Sequence, residues 1–383
     1  MLKQRILFVF GTRPEAIKLA PLIKQMEKEY EFFDISVCSS GQHDELLTGV
    51  LSFFDIVPDY SLSVMTLNQS LNALSCALLD QLDRVYANCL PDFVVVQGDT
   101  TTAFMAGLAA FYRQIKVIHV EAGLRSYRSD MPFPEEMNRC LLSQLSFCHF
   151  APTEQSYLAL IKEGVHSDCV HVVGNTVIDA LQMGLRSIRS SCLSDYDAFF
   201  SSFGLDINTR FILLTIHRRE NFGHYLDDFI GAVIELIARF PFVSFVIPLH
   251  PNPNVQTKLR ARLSSYSTVF LLPPLDYPYF VYLLSHCYFV VTDSGGLQEE
   301  APSLGKPVFV FRDVTERAEA VESGTVLLMG RQKEKVVQMI EHYLTSDDDY
   351  QKMAMIKNPY GTGDSCSLII SVLKKLLFIP VLS

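Results

Sequence analysis

Short apolar runs rich in β-branched and aromatic residues recur along the chain, six in each half, with amphipathic stretches between them. The first half carries Ile6–Phe10, Ile35–Cys38, Phe93–Val96, Lys116–Val120, Phe147–Ala151 and Val170–Val173. The second carries Phe211–Ile216, Val243–Ile247, Val269–Leu272, Cys287–Val291, Pro307–Phe311 and Thr325–Leu328. Runs that are apolar nearly throughout, rather than alternating, predict strands of a parallel sheet covered on both faces. Between them, Ala16, Leu19, Ala20, Ile23 and Met26 fall on the i, i+3, i+4, i+7 stripe of an amphipathic helix. Strands alternating with helices predict an α/β protein of two Rossmann-like, doubly wound domains. The boundary is expected after Gly174-Asn175-Thr176, giving domains 1–176 and 177–364; a Ser- and Arg-rich stretch follows, then a new strand beyond Asn208. The tail from Ser365 to Phe378 reads as a helix, and by analogy with such architectures residues 365–383 are expected to rejoin the first domain.

With 383 residues and 49% apolar content, the chain can bury more than one sizeable core. Its formal net charge of −10 disfavours a general nucleic-acid or membrane-surface binder, whose footprint is basic. Nine cysteines, none in a C-x-x-C pair, read as reduced thiols, with Cys140 and Cys148 as core residues. The run Ile6–Phe10 is too short for a signal sequence and no run spans a bilayer, so a cytoplasmic location is expected. There is neither a metal-ligand spacing nor a G-x-G-x-x-G after a strand; no metal and no nicotinamide cofactor are expected.

Ligands of open parallel sheets bind where strands run out into loops. After Phe10 comes Gly11-Thr12-Arg13-Pro14-Glu15-Ala16-Ile17-Lys18, a tight turn into a helix start with Arg13 and Lys18 as cations for phosphate; an ordinary βα turn with solvated cations is the alternative. Asp99 follows the third run in Gln97-Gly98-Asp99-Thr100, where it points to a cleft or serves a turn. Glu121 directly ends an apolar strand, a costly place for an unpaired carboxylate, so it is bonded or catalytic. Glu135 and Glu136 begin a helix after Pro132-Phe133-Pro134, where favouring the helix dipole is the simpler role. In the second half, His217-Arg218-Arg219 ends a strand as an anion contact or a surface salt-bridge network. Thr292-Asp293-Ser294-Gly295-Gly296 permits close backbone approach to a diphosphate, with Glu300 a turn later for ribose hydroxyls. His250 is ambiguous between a ligand and a loop-shaping residue, and His149 reads as a satisfied core histidine.

Taken together, FGTRPEAIKLAPL, GQH, QGDTTTA, HVEAGLRS, FPEEMNR, GNTVIDAL, HRREN, TDSGGLQEEAPSLGKPV and RDVTER, with NPYGTGD near the C-terminus, resemble the bacterial non-hydrolysing UDP-N-acetylglucosamine 2-epimerases over nearly the whole chain. The resemblance implies a GT-B-like fold, two domains facing across a cleft, usually as a homodimer. It implies reversible conversion of UDP-N-acetylglucosamine to UDP-N-acetylmannosamine by elimination of UDP and re-addition to 2-acetamidoglucal. By position it assigns Asp99, Glu121, Glu135 and His217 to catalysis. Arg13, Lys18, Ser294, Gly295, Gly296, Glu300 and Arg317 fall to the nucleotide, with Phe280 near uracil. Gln42, Arg218, Glu220 and His250 match a regulatory substrate site of some members, whereas Glu45 and Asn68 stand where some have Gln and Arg. Leu275 and Ala318 are further departures, from Gln and Pro. A hydrolysing epimerase, a glycosyltransferase and a non-catalytic UDP-sugar sensor are the competing readings. Released N-acetylmannosamine marks the first. The second does not need three carboxylate loops, and the third is expected to lack one of Asp99, Glu121, Glu135 or His217.

Overall fold

The computed structural model describes residues 3–41, 45–66, 69–218, 221–250 and 252–378. Every apolar run forms a strand: β1 (Gln4–Phe10), β2 (Phe33–Ser39), β3 (Tyr60–Ser61), β4 (Phe93–Gln97), β5 (Lys116–Val120), β6 (Cys148–Ala151) and β7 (Val170–Val172) make one sheet. A second sheet holds β8 (Phe211–Thr215), β9 (Ser244–Pro248), β10 (Val269–Leu272), β11 (Phe289–Thr292), β12 (Val308–Val310) and β13 (Val326–Leu328). All the pairings are parallel. The first sheet therefore has seven strands rather than the six expected. The extra one, Tyr60–Ser61, is a two-residue edge pairing with Cys38 and Ser39, too short to leave an apolar run.

The chain divides into two compact units, Met1–Met183 with Tyr360–Ser383, and Gly184–Pro359. Thr176 opens the helix Thr176–Ser190, and the chain passes from one unit to the other inside that helix, later than the expected boundary. The tail helix Ser365–Phe378 belongs to the first unit: Cys366 N donates to Asp179 Oδ1 at 3.0 Å and Lys374 Nζ meets Glu29 Oε2 at 2.6 Å. Buried Ile369, Ile370 and Leu373 form its apolar side.

Strand order is β3-β2-β1-β4-β5-β6-β7 in the first sheet and β10-β9-β8-β11-β12-β13 in the second. Each order reverses direction at one place, between β1 and β4 and between β8 and β11. The loops that part there leave a crevice at the strands' carboxyl ends. Packing makes these strands rigid platforms: Ile6 through Phe10 are at most 1% exposed, as are Phe211 through Leu214. Truncating one such side chain, for instance Phe8→Ala, removes roughly 3–5 kcal/mol. Among the described residues no helix is long and apolar enough to cross a membrane, and all nine cysteines are free thiols, Cys148 buried and Cys140 partly so.

His119 on β5 lies in register with His149 on β6, their ring centroids 6.3 Å apart. Contrary to expectation His149 is not fully satisfied, since its Nδ1 has no hydrogen-bond partner. Burial pushes His149 down to about 3, with the neighbouring His119 adding to the effect, and burial pushes His119 down to about 4. Below pH 6.5 an unfolded chain takes up protons that these buried rings refuse, so their neutral form supports folding only above that range. Acidification from 6.5 toward 3 should cost the wild type up to about 4 kcal/mol through His149. His149→Leu has no such titration. Its denaturant midpoint should fall less steeply with pH, and parallel curves for the two proteins would refute the account.

Candidate active site

At the first switch point Gly11 follows β1. A Cβ there would sit 2.4 Å from Ser40 Oγ and 2.5 Å from Thr102 Oγ1, so only glycine lets the turn pass. Thr12 caps the helix Arg13–Met26 in a capping box with Glu15. Glu15, absent from the sequence-derived candidates, proves to be the joint between the two parting loops. Its Oε2 accepts from Gly11 N at 3.1 Å, Thr12 N at 2.8 Å and Thr12 Oγ1 at 2.7 Å. Its Oε1 accepts from Thr100 Oγ1, on the β4 loop, at 2.7 Å. Arg13 at the helix start is half-buried and makes no ion pair with any described residue, which leaves its guanidinium available.

Lys18, one turn further on, is not so placed. It forms a buried ion pair with Glu121, whose carboxylate also takes hydrogen bonds from Gln97 Nε2 and, at 2.8 Å, from Asn175 Nδ2. Glu121 adopts φ 61°, a left-handed conformation that costs a non-glycine residue about 1 kcal/mol or more and that gathers at functional sites. Of the two roles open to this strand-end carboxylate, the bonded one is on view.

Gly98, with φ 71°, turns the chain after β4 and presents Asp99. Asp99 Oδ2 pairs with Arg139 at 2.5 Å, and its carbonyl accepts from Asn138 Nδ2 at 2.9 Å. Both partners come from the helix Glu135–Leu145. The adjacent glutamates at its start divide the work. Glu136 is buried, pairs with Arg139 at 2.9 Å and accepts from the backbone amides of Ser126 and Tyr127. Glu135 is half-buried, and its Oε2 is enclosed with no hydrogen-bond partner.

The second switch point carries the other half of the candidates. β8 runs into His217 and Arg218, and β11 into Asp293, Ser294 and the short helix Gly295–Glu300. Asp293 is fully buried. Burial alone pushes its carboxyl up, but hydrogen bonds from His217, Arg218 and Asn221 outweigh it and hold the group below the ordinary range. The His217 ring also stacks on His250, centroids 5.7 Å apart at 25°. Ser294 makes no side-chain cap bond, and a Cβ on Gly296 would meet nothing nearer than Ser294 Oγ at 4.0 Å, so this face of the loop is open. Gly295 is the opposite case, with Arg317 Nη1 and Glu316 Oε1 each 3.2 Å from an added Cβ.

Arg317 is held by Glu299 at 2.8 Å and by Glu316 at 2.9 Å. Glu316 also pairs with Arg218 and Arg312, both at 2.8 Å. Burial raises the Glu316 carboxyl, but Arg317, Arg218 and Arg312 hold it far below the usual range. Phe280 is half-buried on the helix Tyr277–His286, and Glu300 is buried at the end of its helix. Gln42 and Glu220 lie outside the described residues. Arg218 and His250, the other expected regulatory residues, are engaged by Glu316 and His217.

Gln97, Asn175, Arg139, Asp293, Glu299 and Glu316 thus hold the candidates in place, and none had been singled out. For Gln97, Asn175 and Asp293 the signal was a polar residue at or just past the end of an apolar run, which in a buried loop demands a partner; Arg139, Glu299 and Glu316 carry no such local mark.

Two doubly wound units, each with charged side chains collected at its switch point, define a two-domain α/β protein of the nucleotide-handling kind. Residues 24–374 match the family model described as UDP-N-acetylglucosamine 2-epimerase. A UDP-N-acetylglucosamine 2-epimerase of Neisseria meningitidis is 47% identical over 371 residues, 97% of this chain and 99% of the relative. That of Escherichia coli K12 is 44% identical, covering 97% and 98%. Among solved structures, the Neisseria meningitidis UDP-GlcNAc 2-epimerase bound to UDP-GlcNAc superposes with a TM-score of 0.91 at 46% identity, covering 97% and 100% of the two chains. The Methanocaldococcus jannaschii enzyme in complex with UDP-GlcNAc and UDP gives 0.82 at 32% identity, covering 97% and 99%. The chain belongs to the UDP-N-acetylglucosamine 2-epimerase family.

Burial, partly offset by bonds from Thr12 and Thr100, pushes the Glu15 carboxyl up to about 6 from its ordinary 4.5. Below 4.5 it is protonated folded or unfolded; as pH rises through about 6 the unfolded chain ionises first and folding weakens, by about 2 kcal/mol. Glu15→Gln cannot titrate. Its stability relative to wild type should improve by about 2 kcal/mol across that window, read from urea unfolding; a pH-independent difference would contradict the assignment.

Proposed function

We propose that the protein interconverts UDP-N-acetylglucosamine and UDP-N-acetylmannosamine by eliminating UDP and adding it back, rather than by releasing a free sugar. The observation that carries this reading is the contrast among the first unit's carboxylates. Asp99, Glu121 and Glu136 are each ion-paired, while the Glu135 beside Glu136 keeps an enclosed oxygen with no partner. An enclosed carboxylate oxygen without a protein partner is placed for proton transfer at carbon, and the ion pairs hold its neighbours in position around it.

In the forward direction a carboxylate removes the C2 proton as the C1–O bond breaks, and the electron pair leaves on UDP. The neutral 2-acetamidoglucal then takes a proton at C2 on its other face from a second, protonated carboxylate while a UDP oxygen re-forms the bond to C1; the first carboxylate returns its proton to solvent and the second is recharged from it. Electrons and atoms balance without a redox partner or a metal. Ser294–Gly296 and His217 are the groups for the departing diphosphate, and Phe280 for the base. Retaining the glucal and UDP, instead of admitting water, separates this route from hydrolysis. We also infer a homodimer, supported by Met137 and Leu141, exposed one turn apart on the helix Glu135–Leu145.

The test is incubation with UDP-N-acetylglucosamine in deuterated water, followed by NMR. UDP-N-acetylmannosamine carrying deuterium at C2 is the expected product; free N-acetylmannosamine identifies the hydrolysing reaction, and retained protium rules out the two-face exchange. Asp99→Asn, Glu121→Gln and Glu135→Gln should each lower turnover by roughly 100-fold or more. UDP binding should change little, since the nucleotide loop lies in the other unit. Near-normal turnover in all three sinks the carboxylate assignment.

A further inference from the structure

Asp293 is wholly enclosed, and its carboxylate faces the loop after β8. Oδ1 accepts from His217 Nδ1 at 2.9 Å and from His217 N at 3.1 Å. Oδ2 accepts from His217 N at 3.0 Å, Arg218 N at 2.9 Å and Asn221 Nδ2 at 2.9 Å. Beneath it Thr215 Oγ1 and Thr292 Oγ1 lie 2.6 Å apart and join the two strand ends. The imidazole is therefore fixed at its inner nitrogen, while about a third of the side chain, 35%, stays exposed.

We propose that Asp293 is the positioning residue for His217, holding the ring in the Nδ1–H form so that Nε2 is the nitrogen presented to the leaving diphosphate. This rests on the epimerase reading above. In water a neutral histidine favours its proton on Nε2, and the partner of one nitrogen decides the state of the other. A carboxylate is acceptor-only, so at Nδ1 it enforces N–H there. The ring accordingly donates through Nε2–H when it is cationic and receives a proton at Nε2 when it is neutral, without turning. The stacked His250 limits rotation of the ring plane. Catalytic dyads on unrelated folds use the same logic: the buried acid orients the histidine and never itself meets substrate.

Asp293→Asn distinguishes this role from a mere tie between loops. The amides of Arg218 and Asn221 still require an acceptor, so the new side chain must turn its oxygen to the Oδ2 position. Its NH2 then faces Nδ1 and drives the ring proton to Nε2. In the full chain labelled with 15N-histidine, the His217 signals are assigned by their loss in His217→Asn. The neutral wild-type ring should carry its proton on Nδ1, and Asp293→Asn should move it to Nε2. With UDP-N-acetylglucosamine, kcat should drop about 100-fold or more with KM changed by less than about threefold. Asn221→Ala, which removes a donor to Asp293 without touching the ring, should keep the Nδ1–H form.

A neutral wild-type His217 protonated on Nε2 overturns the proposal, even if Asp293→Asn fails to fold. So does an Asp293→Asn protein with an unmoved ring proton, with near-normal kcat, or with a loss confined to UDP affinity. A chain with no epimerase activity overturns the reaction assignment instead, because the nitrogen signals report the ring state without turnover.

Discussion

The first unit is organised around burying the charge of Glu121. The residue ends a strand buried but for its first position, in a left-handed backbone conformation, and its carboxylate is satisfied only by reaching Lys18 on the first helix, Gln97 on β4 and Asn175 ahead of the helix that leaves the unit. Removing one member of such a buried pair strands the other, at about 3–5 kcal/mol. The apolar content of the unit can be permuted more cheaply than that: a volume-conserving swap costs under about 1.5 kcal/mol. The polar knot at the strand ends, and not the greasy interior, is therefore what fixes the loops' mutual register.

That distinction explains what could be read from the sequence. Strand runs such as Phe211–Thr215 are legible because a parallel sheet covered on both faces demands near-continuous apolar side chains, and nothing local competes with the pattern. Tyr60–Ser61 is illegible because an edge pairing of two residues carries no periodicity. The passage between units is blurred for a related reason. The helix Thr176–Ser190 runs unbroken through Met183, and the Ser- and Arg-rich stretch begins only at Arg186, so no break in the pattern falls where its contacts change hands.

Side-chain roles were less legible than side-chain positions. Asp99, Glu121 and Glu135 stand out in the sequence as carboxylates after strands or at a helix start, yet their pairings depend on groups remote in the chain: Arg139 for Asp99, Lys18 and Asn175 for Glu121. Local spacing cannot distinguish Glu135 from Glu136. Helical geometry does, turning one onto Arg139 and the backbone of Ser126 and leaving the other without a partner. Lys18 shows the same dependence on a remote partner, Glu121. A cation just inside a phosphate-type turn reads as a ligand for phosphate, but a buried lysine beside a buried glutamate gains more from the partner that is always present.

The second unit applies the same constraint to cations. Glu316 gathers Arg218, Arg312 and Arg317, and Glu299 adds a second hold on Arg317. An arginine cluster without such anions would repel itself and swing through many rotamers, and a ligand would have to pay for ordering each guanidinium on arrival. Acids placed behind the cluster settle that cost during folding. The trade is affinity: each guanidinium already has an anionic partner, so under the proposed reading a diphosphate would gain the difference between two ionic environments rather than a free charge. Under the proposed reading the open space at Gly296 and the Ser294 hydroxyl, which makes no cap bond, become correspondingly important, because a donor not already ion-paired gains more from an anion. Under the proposed epimerase reading, the arginines would set the orientation of the diphosphate and the loop backbone the strength of its binding.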